Sequence, residues 1–192
     1  AYSAQSDFDT PATTGFLSLP YASHTLNLTK QRVQGTDQQP DRMARHDRHG
    51  NRNPSGDIVF DLRADVYDAF LESLMFGVWD DSPAAAPDEL KFGATQKFFT
   101  IEDYASDIDQ ARLFTGMGVS QASFSIKPNQ MITTTMSMVG KDMTISATEK
   151  TVTPASLNAP FDAYSGALSV GNAGGALSSI ATVTGIDFSV NN

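Results

Sequence analysis

The chain has 192 residues, with 13 lysines and arginines against 22 aspartates and glutamates, a formal net charge of -9, and no cysteine. That length suffices for one domain with a sizeable core, and a chain without cysteine has neither a disulfide framework nor thiolate chemistry. The acidic balance argues against non-specific duplex binding, whose affinity comes from cations displacing counterions, and no apolar run approaches the about 20 residues of a membrane-spanning helix.

Residues 1–24 begin AYSAQSDFDTPATTGFLSLP, small, polar and punctuated by proline, and read as an extended N-terminal arm. Thr25 to Val33 (TLNLTKQRV) predicts a strand with Leu26 and Leu28 on one face. Asn27-Leu28-Thr29 matches a glycosylation sequon, which inside a strand of a cysteine-free chain is read as chance. Residues 34–55, QGTDQQPDRMARHDRHGNRNPS, form a long polar connection holding Arg42, Arg45, Arg48 and Arg52 with His46 and His49. Such a cluster suits an anion site, a metal site on the histidines, a solvated basic loop, or a loop docked on an acidic partner. The histidines lack the carboxylate and spacing of a zinc-binding H-E-x-x-H helix and have no evident third ligand, so docking is favoured over metal.

Gly56 to Gly77, GDIVFDLRADVYDAFLESLMFG, changes period midway. Ile58, Phe60 and Leu62 alternate with Asp57, Val59, Asp61 and Arg63, the mark of a strand with one buried face. From about residue 65 to 76 the spacing becomes helical. Val66, Tyr67, Phe70, Leu71, Leu74 and Met75 share one side, with Asp65, Asp68, Glu72 and Ser73 opposite. Asp65 is placed to cap the helix, Asp68 to favour its first turn and Gly77 to stop it. Phe70, Leu71 and Leu74 are the predicted core of a helix that plugs one open side of a sheet.

The rest of the chain is short strands. Val78-Trp79 leads into a proline-rich acidic loop (DDSPAAAPDE), where Asp80-Asp81 reads as solvated acid and not as a cation site. Phe98 to Glu102 and Ala111 to Thr115 are strands around an acidic loop of Asp103, Asp107 and Asp109. That loop lacks the glycine and distal glutamate of a calcium-binding loop. A hairpin follows about Lys127-Pro128-Asn129. Its expected register sets Phe124 opposite Ile132 and Ala122 opposite Thr134, with Ser123 beside Thr133 and Gln121 beside Thr135 on a polar face. Further strands are expected at Met143–Ala147, Ala167–Val170, Ile180–Val183 and Ile186–Val190, with a Gly-rich turn at Gly171–Gly175. The fold class is therefore mainly β: an antiparallel sandwich or barrel-like sheet with one flanking helix and long loops, in a single domain over residues 1–192. No nucleophile elbow, phosphate-cradling loop or paired carboxylates stands out, so neither an enzyme activity nor a cofactor is assigned.

The order of TLNLTKQ, an Arg-rich loop ending RHG, GDIVFDL feeding a helix that ends FGVW, KFFTIE, ARLFTGMGVSQASFSIKPNQM, VGKDM and PFDAYSG resembles the tail tube proteins of long-tailed bacteriophages. The resemblance runs from about Thr25 to the last residues, and TPATTGF of the arm also fits it. Chains of this type usually continue beyond the strand ending here at Asn191-Asn192, which leaves truncation at the C-terminus open.

The resemblance implies a structural virion protein of the tail, assembled in the host cytoplasm. Its subunits stack as rings, commonly hexameric, into a hollow conduit for genome delivery, with tape measure and tail terminator proteins as partners. Phage DNA would pass without specific binding. On that reading Arg42, Arg45, His46, Arg48, His49 and Arg52 form an inter-subunit loop, and Gln121, Ser123, Thr133, Thr135 and Ser137 contribute a lumen face. The alternative is a β-sandwich carbohydrate- or ligand-binding module, which would need exposed aromatics on a sheet face. Trp79, the single tryptophan, sits beyond the helix, where core packing is favoured.

Overall fold

The computed structural model describes residues 1–36, 46–80, 88–155, 158–164, 169–170, 175, 178–179 and 184–192. In chain order its elements are β1 (Tyr2–Ala4), β2 (Phe16–Leu17), β3 (Ser23–His24), β4 (Asn27–Val33), β5 (Arg48–Asp61), α1 (Asp68–Met75), β6 (Trp79–Asp80), β7 (Glu89–Leu90), β8 (Phe99–Ala105), β9 (Gln110–Ile126), β10 (Thr133–Val139), β11 (Asp142–Ser146), β12 (Val152–Thr153), β13 (Ser169–Val170), β14 (Ser178–Ser179) and β15 (Ile186–Asn191). The mainly β, sandwich-like expectation holds. Among the described residues the sheets are open, and every strand pair except β2 with β12 is antiparallel.

The 17-residue β9 joins the two halves of the sandwich. Its first half lies between β8 and β11, and its second half between β15 and β10. One array therefore runs β12-β2-β1-β8-β9-β11. The other runs β15-β9-β10-β5, with β3 and β4 successive along β5. The change-over falls near Gly116, whose φ of 64 is open chiefly to glycine and whose amide donates to Gln5 Oε1 at 3.1 Å. The sequence reading split this stretch into two strands at its glycines. The ladder instead continues through them.

The core fills the space between the arrays. Ile58 and Phe60 of β5, Phe99 and Ile101 of β8, Phe114, Ala122 and Phe124 of β9, and Met136 and Met138 of β10 join Tyr2 and Leu26 in one cluster. Helix α1 adds Phe70 and Leu74, both 2% exposed, with Leu71 half-buried against them. Just before it, Tyr67 stacks on Phe60 at 3.7 Å between ring centroids. Phe70 lies 4.7 Å from Tyr2 and 4.6 Å from Phe99. Burial of each such side chain stabilises by roughly 1.5–3 kcal/mol. Burial also pushes the Tyr67 hydroxyl up to about 12, and that hydroxyl donates to the Pro20 carbonyl at 2.7 Å.

The helix departs from expectation at both ends and on one face. It begins at Asp68, with Tyr67 as a cap residue that supplies no side-chain bond. Asp65 has φ 65 and its carboxylate accepts from Asn158 Nδ2 at 2.8 Å, so it braces the preceding turn. The left-handed residue at the C-terminal end is Phe76, φ 48. Gly77 is required for another reason: a Cβ there would stand 2.2 Å from the Lys91 carbonyl oxygen. Glu72 and Ser73, assigned to the solvent side, are 9% and 2% exposed because residues 79 and 97 close over them.

Two further differences concern register and length. In the β9–β10 hairpin Thr134 lies opposite Phe124 and Met136 opposite Ala122, two residues on from the expected pairing. Ile132 leaves this ladder because its amide donates to Phe161 and its carbonyl accepts from Leu62, both at 2.9 Å. A shift of two residues leaves every side chain on its expected face. Strand β5 begins at Arg48, so residues 48–55 of the long polar connection are strand paired with β4. The expected strand at Ile180–Val183 lies outside the described residues, as does most of the Gly-rich turn.

Candidate functional site

The outward side of the array β15-β9-β10-β5-β3 is built from the residues that alternate with the core. The pairings set them in rows. Asp187, Ser125, Thr133 and Asp61 form one row. Ser189, Ser123, Thr135, Val59 and Ser23 form the next, and Asn191, Gln121, Ser137 and Asp57 the third. The five residues singled out from the hairpin (Gln121, Ser123, Thr133, Thr135 and Ser137) thus occupy the centre of one continuous face. Carboxylates stand at its margins and tie into it. Ser137 Oγ donates to Asp57 at 2.6 Å, and Ser125 Oγ donates to Asp187. These rows hold hydroxyls, amides and acids with one aliphatic side chain, Val59, and no lysine, arginine or aromatic ring. Such a face is wet and offers a polyanion no fixed cation.

The second candidate is the ribbon of β4 and β5 beyond the core. Residues 29–33 are exposed, as are His46, Asp47, Arg48 and His49. Arg32 faces His49 across the ladder, Val33 faces Arg48, and Arg32 is ion-paired with Asp47. Arg52 is committed within the chain. Its Nε lies 2.6 Å from Asp142, and its guanidinium also donates to the Met143 carbonyl. Arg42 and Arg45 lie outside the described residues. Among the described residues no three histidines, aspartates or glutamates gather as metal ligands.

Buried carboxylates escaped the sequence reading. Glu72 is ion-paired with Lys97 and accepts from the Trp79 amide at 3.1 Å, tying α1 to the segments on either side. Glu102, 4% exposed, accepts from the Lys150 amide at 2.8 Å. It borders a cleft of about 310 Å³ that is also lined by Tyr21, His24, Asp103, Tyr104 and Glu149. There Asp103 pairs with Arg112 and lies 3.5 Å from His24 Nε2. The only signal for Glu102 was its place inside the apolar run FFTIE.

An open sandwich with a polar face and an exposed basic ribbon is a scaffold with surfaces. The family described as phage tail tube protein matches residues 1–192, the whole chain. The chain belongs to that family. It is a structural subunit of a phage tail tube, a virion component that self-associates and meets other tail proteins. No curated protein shows significant similarity to it. No helix among the described residues of this tail tube subunit is long and apolar enough to cross a membrane.

Proposed function

We propose that the subunits form rings, most simply hexameric, that stack into a hollow tube, and that the polar face of β9 and β10 lines its bore during genome ejection. The observation that carries this reading is the composition of that face: hydroxyls and amides at its centre, carboxylates at its margins, and no cation in the rows. A wall of this kind stays hydrated, repels phosphates at its margins and gives DNA nowhere to dwell. The opposite side of the same strands is core, so the wall is backed by packed apolar side chains. The basic segment 34–55 docks on a neighbouring subunit, with Arg42, Arg45, His46, Arg48 and His49 facing acidic residues. The tape measure and tail terminator proteins complete the assembly, which takes place in the host cytoplasm.

The double variant Thr133→Lys, Thr135→Lys tests the bore. Both side chains stand on the outward side of β10, so the fold tolerates them. Tubes should still form, and the added cations should slow or stall DNA ejection, most strongly at low salt. Ejection at the wild-type rate through variant tubes places this face elsewhere.

A further inference from the structure

The cleft that Glu102 borders lies between the two arrays, with β3 and β5 on one side and β8 and β12 on the other. Its volume of about 310 Å³ stands at the lower end of the roughly 300–1,000 Å³ usual for small-molecule sites. The lining divides by chemistry. Leu19, Leu26, Ile58, Ile101 and Val152 supply apolar surface. The polar part comes mainly from His24 and three acids, Glu102, Asp103 and Glu149, and among the described residues no lysine or arginine lines it.

Two of these acids lack a cation. Asp103 is held by Arg112, whereas Glu102 and Glu149 have no ion pair among the described residues. Glu102 is 4% exposed, and its carboxylate takes one donor, the Lys150 amide at 2.8 Å on Oε1. The Ala1 nitrogen donates to the Glu102 main-chain carbonyl at 2.8 Å, and not to the carboxylate. Oε2 is left without a partner among the described residues. His24 repeats the pattern. Its Nε2 lies 3.5 Å from Asp103, while Nδ1 is enclosed and unpartnered among the described residues. With the Nε2 proton assigned to the Asp103 side, Nδ1 is an acceptor too. Buried polar atoms are nearly always hydrogen-bonded, so residues of one cleft that leave two acceptors unfilled point to a donor from outside the chain.

We propose that this cleft binds a free primary alkylammonium, a diamine or longer polyamine, with its N–H donors on the Glu102 carboxylate and its carbon chain along the apolar lining. An ammonium carries three donors and a positive charge, which match a buried carboxylate short of both. Its alkyl chain takes the place of water on the aliphatic side chains. A metal ion fits less well. Among the described residues no three histidines, aspartates or glutamates gather as ligands, and an ion would leave the apolar surface unused. The site goes beyond the tube reading and uses neither the polar face nor the basic ribbon.

Equilibrium dialysis of the wild-type chain against diaminobutane tests the site. Binding should saturate at one diamine per chain, and butanediol, with the same carbon chain and no charge, should not bind. A chain of net charge -9 gathers any cation loosely, so the decisive comparison keeps the charge and removes the donors. The fully methylated, quaternary form of the same diamine should bind about tenfold more weakly or worse. Glu102→Gln should weaken diamine binding by about tenfold or more, because it keeps an acceptor for the Lys150 amide and loses the charge. Glu149→Gln, on an exposed residue, leaves the fold alone and should weaken binding about threefold. Uptake that never saturates, equal binding of the quaternary form, or wild-type affinity in both variants overturns the proposal. Binding should persist in assembled tubes. Binding by free subunits that vanishes in tubes shows that a neighbouring copy fills the cleft, and overturns its assignment to a free amine.

Discussion

Glu72 is where a single residue decides the most. Its carboxylate is almost enclosed, with the Lys97 ammonium on one side and the Trp79 amide on another. Truncation leaves Lys97, about a third exposed, without its counter-charge and an amide without its acceptor. Glu72→Ala should therefore destabilise by about 1–3 kcal/mol, read as a lower urea midpoint at unchanged slope. An unchanged midpoint would show that water replaces the carboxylate without loss. Asp68 makes the opposite kind of contribution. The helix N-terminus favours its charge, but burial first, and then Asp65, Glu72 and Asp88, push its carboxyl above the ordinary range. A carboxyl that holds its proton more tightly when folded stabilises fully below its unfolded value, and that contribution is lost as pH rises through the folded value. Ionised Asp68 is thus a net cost at neutral pH. Asp68→Asn should melt higher than wild type at pH 7, and the gap should close below about pH 4. A gap of equal size at both pH values would point to a cause other than ionisation.

At the scale of elements, α1 closes the sandwich. It has no side-chain cap at its N-terminus and no basic residue in its last turn, so packing must hold it in place of local signals. Leu74 sits at the centre of that packing, 2% exposed. Leu74→Ala should cost about 2–5 kcal/mol through the cavity it leaves and lower the soluble yield. A melting temperature equal to wild type would mean that α1 is not the plug. The β4–β5 edge has its own hinge point at Gly56, φ 152, where a Cβ would come within 2.6 Å of the Thr25 carbonyl oxygen. That close approach lets β3 and β4 follow one strand although the chain kinks between them.

For the whole molecule, a net charge of -9 coexists with a basic segment, and the separation of the two matters. Exposed cations on a projecting ribbon can reach an acidic neighbour without disturbing the core. Replacing Arg42, Arg45 and Arg48 together with serine should leave the monomer's melting temperature within a degree or so, because Arg48 is exposed and the fold does not lean on it. Tube growth should be impaired, seen as short tubes or free rings by electron microscopy. Normal-length tubes from that variant count against docking. Arg52 is kept out of the set because Asp142 already holds it.

The alternation of Ile58 and Phe60 with Asp57 and Asp61, and of Met136 and Met138 with Thr135 and Ser137, was legible without coordinates, since a strand's side chains change face at every residue whatever its partner. The helix core of Phe70 and Leu74 was equally legible from its spacing. Those local periods determined the fold class, the core faces and the polar face. Partners were not legible, because pairing depends on residues distant in sequence. Only the tertiary structure decided that β9 serves both arrays, that Ile132 leaves the hairpin for Phe161, and that Arg52 pairs with Asp142. Glu72 and Ser73 lie on the polar side of their helix by period, and they are buried only because Lys97 and Trp79 arrive from elsewhere in the chain. Periodicity records which way a side chain points, and what it meets there is set by the rest of the fold.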